Sequence, residues 1–148
     1  MKICLAASAG GHLTQIRKLD ILYRNYDYFF VTFYAQPLKD LPKSERFYFV
    51  LNPGRNIFKF LFNAVQSLKI FLKEKPDVVI STGAGVAIAM CWWAKLLGKK
   101  VIFLEDWCVV NKPSLSGRLV YPAANLFIVQ WESLLKYYPK ALFKGALL

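Results

Sequence analysis

Hydrophobic positions along the chain fall into two alternating patterns: short continuous apolar runs, and longer stretches in which apolar residues recur every third or fourth place. Residues 2–7 form a compact apolar run ending in Ser8-Ala9-Gly10-Gly11, after which Leu13, Ile16, Leu19 and Tyr23 keep helical spacing. This is the pattern of a strand, a glycine loop and a helix. Residues 28–33 and 46–51 are β-branched and aromatic runs, separated by turn residues from Gln36-Pro37 to Leu41-Pro42 and closed by Asn52-Pro53-Gly54, so both predict strands. A helical pattern over residues 56–73 is closed by Pro76, residues 77–81 form a short strand of the buried type, and Thr82-Gly83-Ala84-Gly85 repeats the glycine loop. A nearly uncharged helix over residues 86–97, a strand at 101–104, a short helix from Ser116 and a strand at 126–129 complete the series.

Strands alternating with helices predict an α/β fold: a Rossmann-like parallel sheet with helices on both faces, because parallel neighbours need crossover connections. With the common strand order 3-2-1-4-5-6, the first and fourth strands lie side by side, and their loops flank the crevice where the order reverses. Those are the two glycine-bearing loops, and the loop after the fifth strand, carrying Glu105 and Asp106, opens beside them. The length of 148 residues predicts one domain over residues 1–148.

In the helix over residues 56–73, Ile57, Phe58, Phe60, Leu61, Ala64, Val65, Leu68, Phe71 and Leu72 share one wide arc, which is expected to cover the sheet. Phe62 and Ile70 fall on the other side among Lys59, Lys69 and Lys73, with Arg55 just ahead, a mixture suited to a lipid interface. Twenty Lys and Arg against nine Asp and Glu give a net charge of +11, which favours an anionic partner. No recognition helix, RNP or zinc pattern accompanies the charge, so an anionic membrane surface is expected and nucleic acid is not. No run is long and apolar enough to predict a transmembrane helix. Cys4, Cys91 and Cys108, widely spaced and with one His in the chain, predict no metal site, only thiols packed as small apolar groups in a reducing compartment.

Gly10 and Gly11 let backbone N–H groups approach a phosphate or a polarised hydroxyl; Thr82-Gly83-Ala84-Gly85 either does the same or serves close helix–strand packing. His12, the one imidazole, is either a general base or a polar helix-start residue. Glu105-Asp106 at a strand end would bind sugar hydroxyls, supply a catalytic carboxylate, or form a solvated acidic pair. Trp92-Trp93 predicts core or subunit packing. The loops lack GxGxxG, and no acidic residue ends the second strand, which disfavours a nicotinamide enzyme; no GxSxG elbow occurs.

Four segments in order, Ser8-Ala9-Gly10-Gly11-His12, Ser81-Thr82-Gly83-Ala84-Gly85, Pro113-Ser114-Leu115-Ser116-Gly117-Arg118-Leu119 and Leu126-Phe127-Ile128-Val129-Gln130-Trp131-Glu132, resemble an oligosaccharide biosynthesis family. Its members are the membrane-associated subunits of two-part UDP-sugar glycosyltransferases, in eukaryotes of the GlcNAc transferase of dolichol-linked glycan assembly, in bacteria of capsule and exopolysaccharide synthesis. The resemblance implies the N-terminal, acceptor-side half of a GT-B enzyme, completed by a catalytic glycosyltransferase subunit. It implies no cofactor in this chain, a UDP-sugar donor on the partner, and a polyprenyl-phosphate-linked sugar acceptor. His12 is then the first candidate base and Glu105 the second. Ser8, Gly10, Gly11, Thr82, Gly83, Ala84, Gly85 and Asp106 would face the acceptor. Eukaryotic members begin with a transmembrane helix that this sequence lacks, and often carry Glu in place of Gln15; many relatives carry Arg in place of Val109. Peripheral attachment at the cytoplasmic face is therefore expected, through Arg55, Lys59, Phe62, Lys69, Ile70 and Lys73. The final Gly145-Ala146-Leu147-Leu148 is expected to pack on the partner. The other reading open at this point is a self-sufficient nucleotide- or nucleotide-sugar-binding enzyme.

Overall fold

The computed structural model describes residues 1–35 and 44–146. The turn expected at 36–42 lies outside the described residues, as do the last two residues of the C-terminal segment. The strands β1 (Lys2–Ala7), β2 (Asp27–Thr32), β3 (Phe47–Phe49), β4 (Val78–Gly83), β5 (Lys100–Leu104), β6 (Leu126–Val129) and β7 (Leu142–Phe143) form one sheet in the order β3-β2-β1-β4-β5-β6-β7. Every neighbouring pair is parallel, and the order reverses between β1 and β4, where the expected crevice lies.

The side-chain period of two sorts the central strands between two cores. Ile3, Leu5, Ala7 and Phe30 pack with Leu13, Ile16 and Tyr23 from α1 (Gly11–Arg17) and α2 (Asp20–Tyr23). Cys4, Ala6, Phe29 and Val31 point the other way, toward α3 (Ile57–Glu74), α4 (Gly85–Leu96) and α5 (Leu115–Val120). Helices thus cover both faces. The helix expected through Tyr23 is interrupted at Lys18 and Leu19, and β7 and a 3-10 turn at Glu132–Leu134 are additions that the hydropathy pattern did not predict. Cys4 and Cys91 are buried thiols, and burial pushes Cys91 up to about 12; Cys108 is exposed, against the expectation that all three would be packed.

The largest departure is the orientation of α3. Asn56 caps its N-terminus by accepting from Lys59 N, and Lys75 ends it in the left-handed conformation before Pro76, so the helix forms where expected. Its inward face, however, is partly polar: Asn63, Ser67 and Glu74 are buried beside Phe71. Asn63 Nδ2 donates to Leu51 O at 2.9 Å, fixing the helix to the chain just beyond β3. Phe60 and Ile70 pack on the core. Ile70 therefore leaves the expected lipid-facing set. Most of the arc expected to cover the sheet faces outward instead, with Ile57 63% and Phe58 78% exposed and Leu61, Val65 and Leu72 beside them. Phe62 is exposed on the same side.

Glu74 closes the lower end of this helix against the sheet. It accepts from the Tyr48 hydroxyl, from Lys2 Nζ at 3.0 Å and from Arg46 at 3.3 Å, with only 7% of its side chain exposed. The Tyr48 hydroxyl first, then Lys2 and Arg46, hold the carboxyl below its ordinary range against the opposing effect of burial. A depressed folded-state pKa adds stability at pH above the unfolded value, and that stability is lost as pH falls through the folded value. Glu74→Gln is expected to lower neutral-pH stability by about 2 kcal/mol and to shrink the loss of stability below about pH 4. Urea unfolding across that range checks this; an unchanged acid limb in the variant would contradict it.

Candidate functional site

At the carboxyl edge of the sheet, the loops after β1, β4 and β5 meet as the topology requires. Pairing of β1 with β4 slips there: Ala6 pairs with Ser81 and Ala7 with Gly83, so Thr82 is an extra residue in the ladder. The bulge turns both Thr82 polar groups toward His12. The Thr82 hydroxyl donates to His12 O at 2.8 Å, and His12 Nδ1 lies 2.8 Å from Thr82 O. A carbonyl oxygen only accepts, so Nδ1 carries a proton and donates. Nε2 is left to face the cleft, 3.4 Å from Asp106 Oδ2. His12 is 22% exposed, so a ligand can reach it.

Asp106 is held in turn. Gln15, one turn beyond His12 on α1, donates to its Oδ1 at 2.6 Å, and Cys108 N donates to the same oxygen at 3.2 Å. Gln130 at the end of β6 donates to Glu105 O at 3.0 Å and reaches Gln15 Oε1 at 3.4 Å. Gln15 and Gln130 had not been expected to take part. Their signal was the helical spacing of Gln15 from His12 and a glutamine directly after an apolar strand.

Glu105 lies in a different place from the one expected. It is 1% exposed, and its oxygens accept from Ser114 Oγ at 2.6 Å and Tyr138 OH at 2.8 Å. Burial, with the Glu105 charge beside it, raises the Tyr138 phenol far above its ordinary value, so it stays a donor. Ser114 also caps α5, accepting from Gly117 N at 2.8 Å. Enclosed in this way, Glu105 does not reach a substrate hydroxyl; it anchors the start of α5 and corrects the expectation of a second candidate base.

The remaining expected residues divide by exposure. Gly10 and Gly11 are exposed, with open space where their side chains would be, and Gly10 has φ +96°. Ser8 and Thr82 are buried, and Thr82 positions His12 from beneath. Gly83, at φ +114°, is also buried; a Cβ there would stand 3.3 Å from His12 Cε1 and 3.5 Å from Ser116 Oγ, which places Ser116 at the site as well. Ala84 opens α4 at φ 67°, ψ 163°, a conformation that strains an L-residue by about 1–3 kcal/mol. Gly85 and Ser116 border an open pocket of about 500 Å³ that also takes in Pro53, Arg55, Ile57 and Leu115. Among the described residues no group of three His, Cys, Asp or Glu side chains could hold a metal ion.

The sequence model of the family described as "Oligosaccharide biosynthesis protein Alg14 like" matches residues 52–147. The chain belongs to the Alg14-like family. A Candida albicans relative named UDP-N-acetylglucosamine transferase subunit ALG14 is 39% identical over 98 residues, covering 62% of this chain and 43% of the relative. The human protein of that name is 36% identical over 95 residues, covering 60% and 44%. The chain thus spans less than half the length of these curated relatives. Among solved structures, MurG of Acinetobacter baumannii superposes with TM-score 0.72 at 18% identity, covering 90% of this chain and 43% of that one. The fold is therefore the Rossmann-like unit expected. The Alg14-like segment takes in the α3, α4 and α5 side of the cleft, while His12 and its glycine loop precede it.

Proposed function

We propose that this chain is the acceptor-side half of a two-chain glycosyltransferase, completed by a catalytic subunit that binds a UDP-sugar. The observation that carries the reading is the one-sided cleft: His12 Nε2 and Asp106 stand at the open edge of a single Rossmann-like sheet. Kinship with proteins named as subunits of a UDP-N-acetylglucosamine transferase supports it.

In this reading a sugar hydroxyl of a polyprenyl-phosphate-linked acceptor lies against His12 Nε2. Its oxygen attacks the anomeric carbon of the donor on the partner, the bond to UDP breaks, and the proton passes to Nε2. Nδ1 already donates to Thr82 O, so the resulting imidazolium has both N–H groups placed, with Asp106 near the new charge. Gly10, Gly11, Ala84 and Gly85 line the acceptor, and the buried Gly83 lets His12 pack close behind them. The assay mixes the chain, a candidate partner, UDP-N-acetylglucosamine and a prenyl-diphosphate sugar. Transfer is expected from the pair and from neither chain alone; transfer by this chain alone would overturn the reading.

The same proposal attaches the chain peripherally to the cytoplasmic face of an anionic membrane through the outward strip of α3, and its three unpaired thiols suit that reducing side. No helix among the described residues is long and apolar enough to cross a membrane. Ile57, Phe58, Leu61, Phe62, Val65 and Leu72 are exposed together, with Lys59, Lys69 and Lys73 along one flank and Arg55 at the end. The Lys73 ammonium lies 5.1 Å over the Tyr48 ring, which keeps it at the flank. This orientation suits a helix lying in the interface plane. Phe58→Glu with Phe62→Glu is expected to weaken cosedimentation with phosphatidylglycerol vesicles about 100-fold or more. Undiminished sedimentation would reject α3 as the contact.

A further inference from the structure

The pocket beside Gly85 and Ser116 does not end there. A second pocket of about 430 Å³, lined by Ala64, Ala89, Trp92, Trp93 and Leu96, shares Phe60, Ile88 and Leu119 with the first. Together they form one groove between α3, α4 and α5, following α4 for about 17 Å from Gly85 to Leu96.

Two hydrogen bonds define its walls. Trp92 Nε1 donates to Leu119 O at 3.0 Å and Trp93 Nε1 donates to Ala64 O at 2.8 Å. Each indole N–H is thereby consumed by a neighbouring helix, and the rings present carbon alone to the groove. The same bonds tie α4 to α5 and to α3, so the space between the helices is held open before any ligand arrives. A hydrocarbon chain needs no polar partner and fits such a lining.

We infer that this groove holds the first isoprene units of the acceptor's prenyl chain, withdrawn from the bilayer into the protein. The inference rests on the acceptor reading above and adds the seat of the lipid. Three features favour this occupant. The groove runs into the candidate site, so a chain lying in it delivers its phosphate to the loop beside His12. Arg55 stands at that end, and the α4 N-terminus adds positive potential. Ile57 belongs both to the groove and to the outward strip of α3, so a lipid can pass sideways from one to the other.

The test uses farnesyl phosphate and the full chain, with binding followed by tryptophan fluorescence and folding checked by circular dichroism. Ala64→Phe, which fills the groove, and Leu119→Asp, which charges it, are each expected to weaken binding about tenfold or more. Leu142→Asp on the distant β7 is expected to bind as the unmodified chain does. Inorganic phosphate and lysophosphatidylglycerol are expected to displace farnesyl phosphate poorly. Unweakened binding in both groove variants would overturn the inference. Equal displacement by lysophosphatidylglycerol would also overturn it, because the groove would then be a general lipid seat. The measurement needs neither partner nor donor. A pair that transfers no sugar would therefore remove the transferase reading and leave the binding result standing.

Discussion

Gly117→Ala is expected to lower the unfolding free energy by about 3 kcal/mol or more and the melting temperature by about 10 °C. The sign is opposite to the ordinary effect of the substitution, since alanine inside a helix is favoured over glycine by about 1 kcal/mol. The added Cβ would stand 2.5 Å from Tyr138 OH and 2.9 Å from Glu105 Cδ, and would collide with Glu105 Oε2. Neither neighbour can move cheaply. Tyr138 is buried, and the Glu105 carboxylate is fully enclosed by the groups that donate to it. Moving it would leave a buried charge short of hydrogen bonds. The damage extends to the site, because Ser114 and Ser116 follow the start of α5. Thermal and urea unfolding check the prediction, and a variant as stable as the parent would show that Glu105 does not clamp α5.

His12→Ala is expected to reduce kcat of the reconstituted pair by about 100- to 10,000-fold, with a smaller change in acceptor KM and no loss of association. The imidazole is the group whose reactive nitrogen faces the cleft while its other nitrogen is fixed by a backbone carbonyl. In the proposed mechanism, removing it takes away the proton acceptor and leaves the glycine loops in place. Gln15→Ala, which frees Asp106 without touching His12, is expected to cost about tenfold in kcat. That gradation separates a base from the residues that position the carboxylate beside it. Full activity of the alanine variant would remove His12 from the mechanism.

The strand order, the crevice and the meeting of three loops were legible in the sequence, because they follow from alternating strand and helix patterns and from chirality. Short-range features were legible too: the glycines around His12 and the extent of the helix over residues 56–73 are local. The orientation of α3 was not. Hydropathy reports which side of a helix avoids water, but the apolar arc of α3 faces outward while Asn63 and Glu74 turn inward to the Leu51 carbonyl and to Tyr48, Lys2 and Arg46. Those partners come from distant parts of the chain. Glu105 was misplaced for the same reason, since Tyr138, which encloses it, lies 33 positions further on. Ser116 and Gln130 were visible as letters in the family segments, yet only the fold brings Ser116 to Gly83 and Gln130 to Gln15.

A fold of this kind does not itself say which ligand it holds. The division of labour between donor and acceptor is therefore the claim to test, and titration of the isolated chain with UDP-N-acetylglucosamine tests it most directly. The expected calorimetric trace shows no saturable binding at millimolar nucleotide sugar; a micromolar dissociation constant would put the donor on this chain and contradict the account.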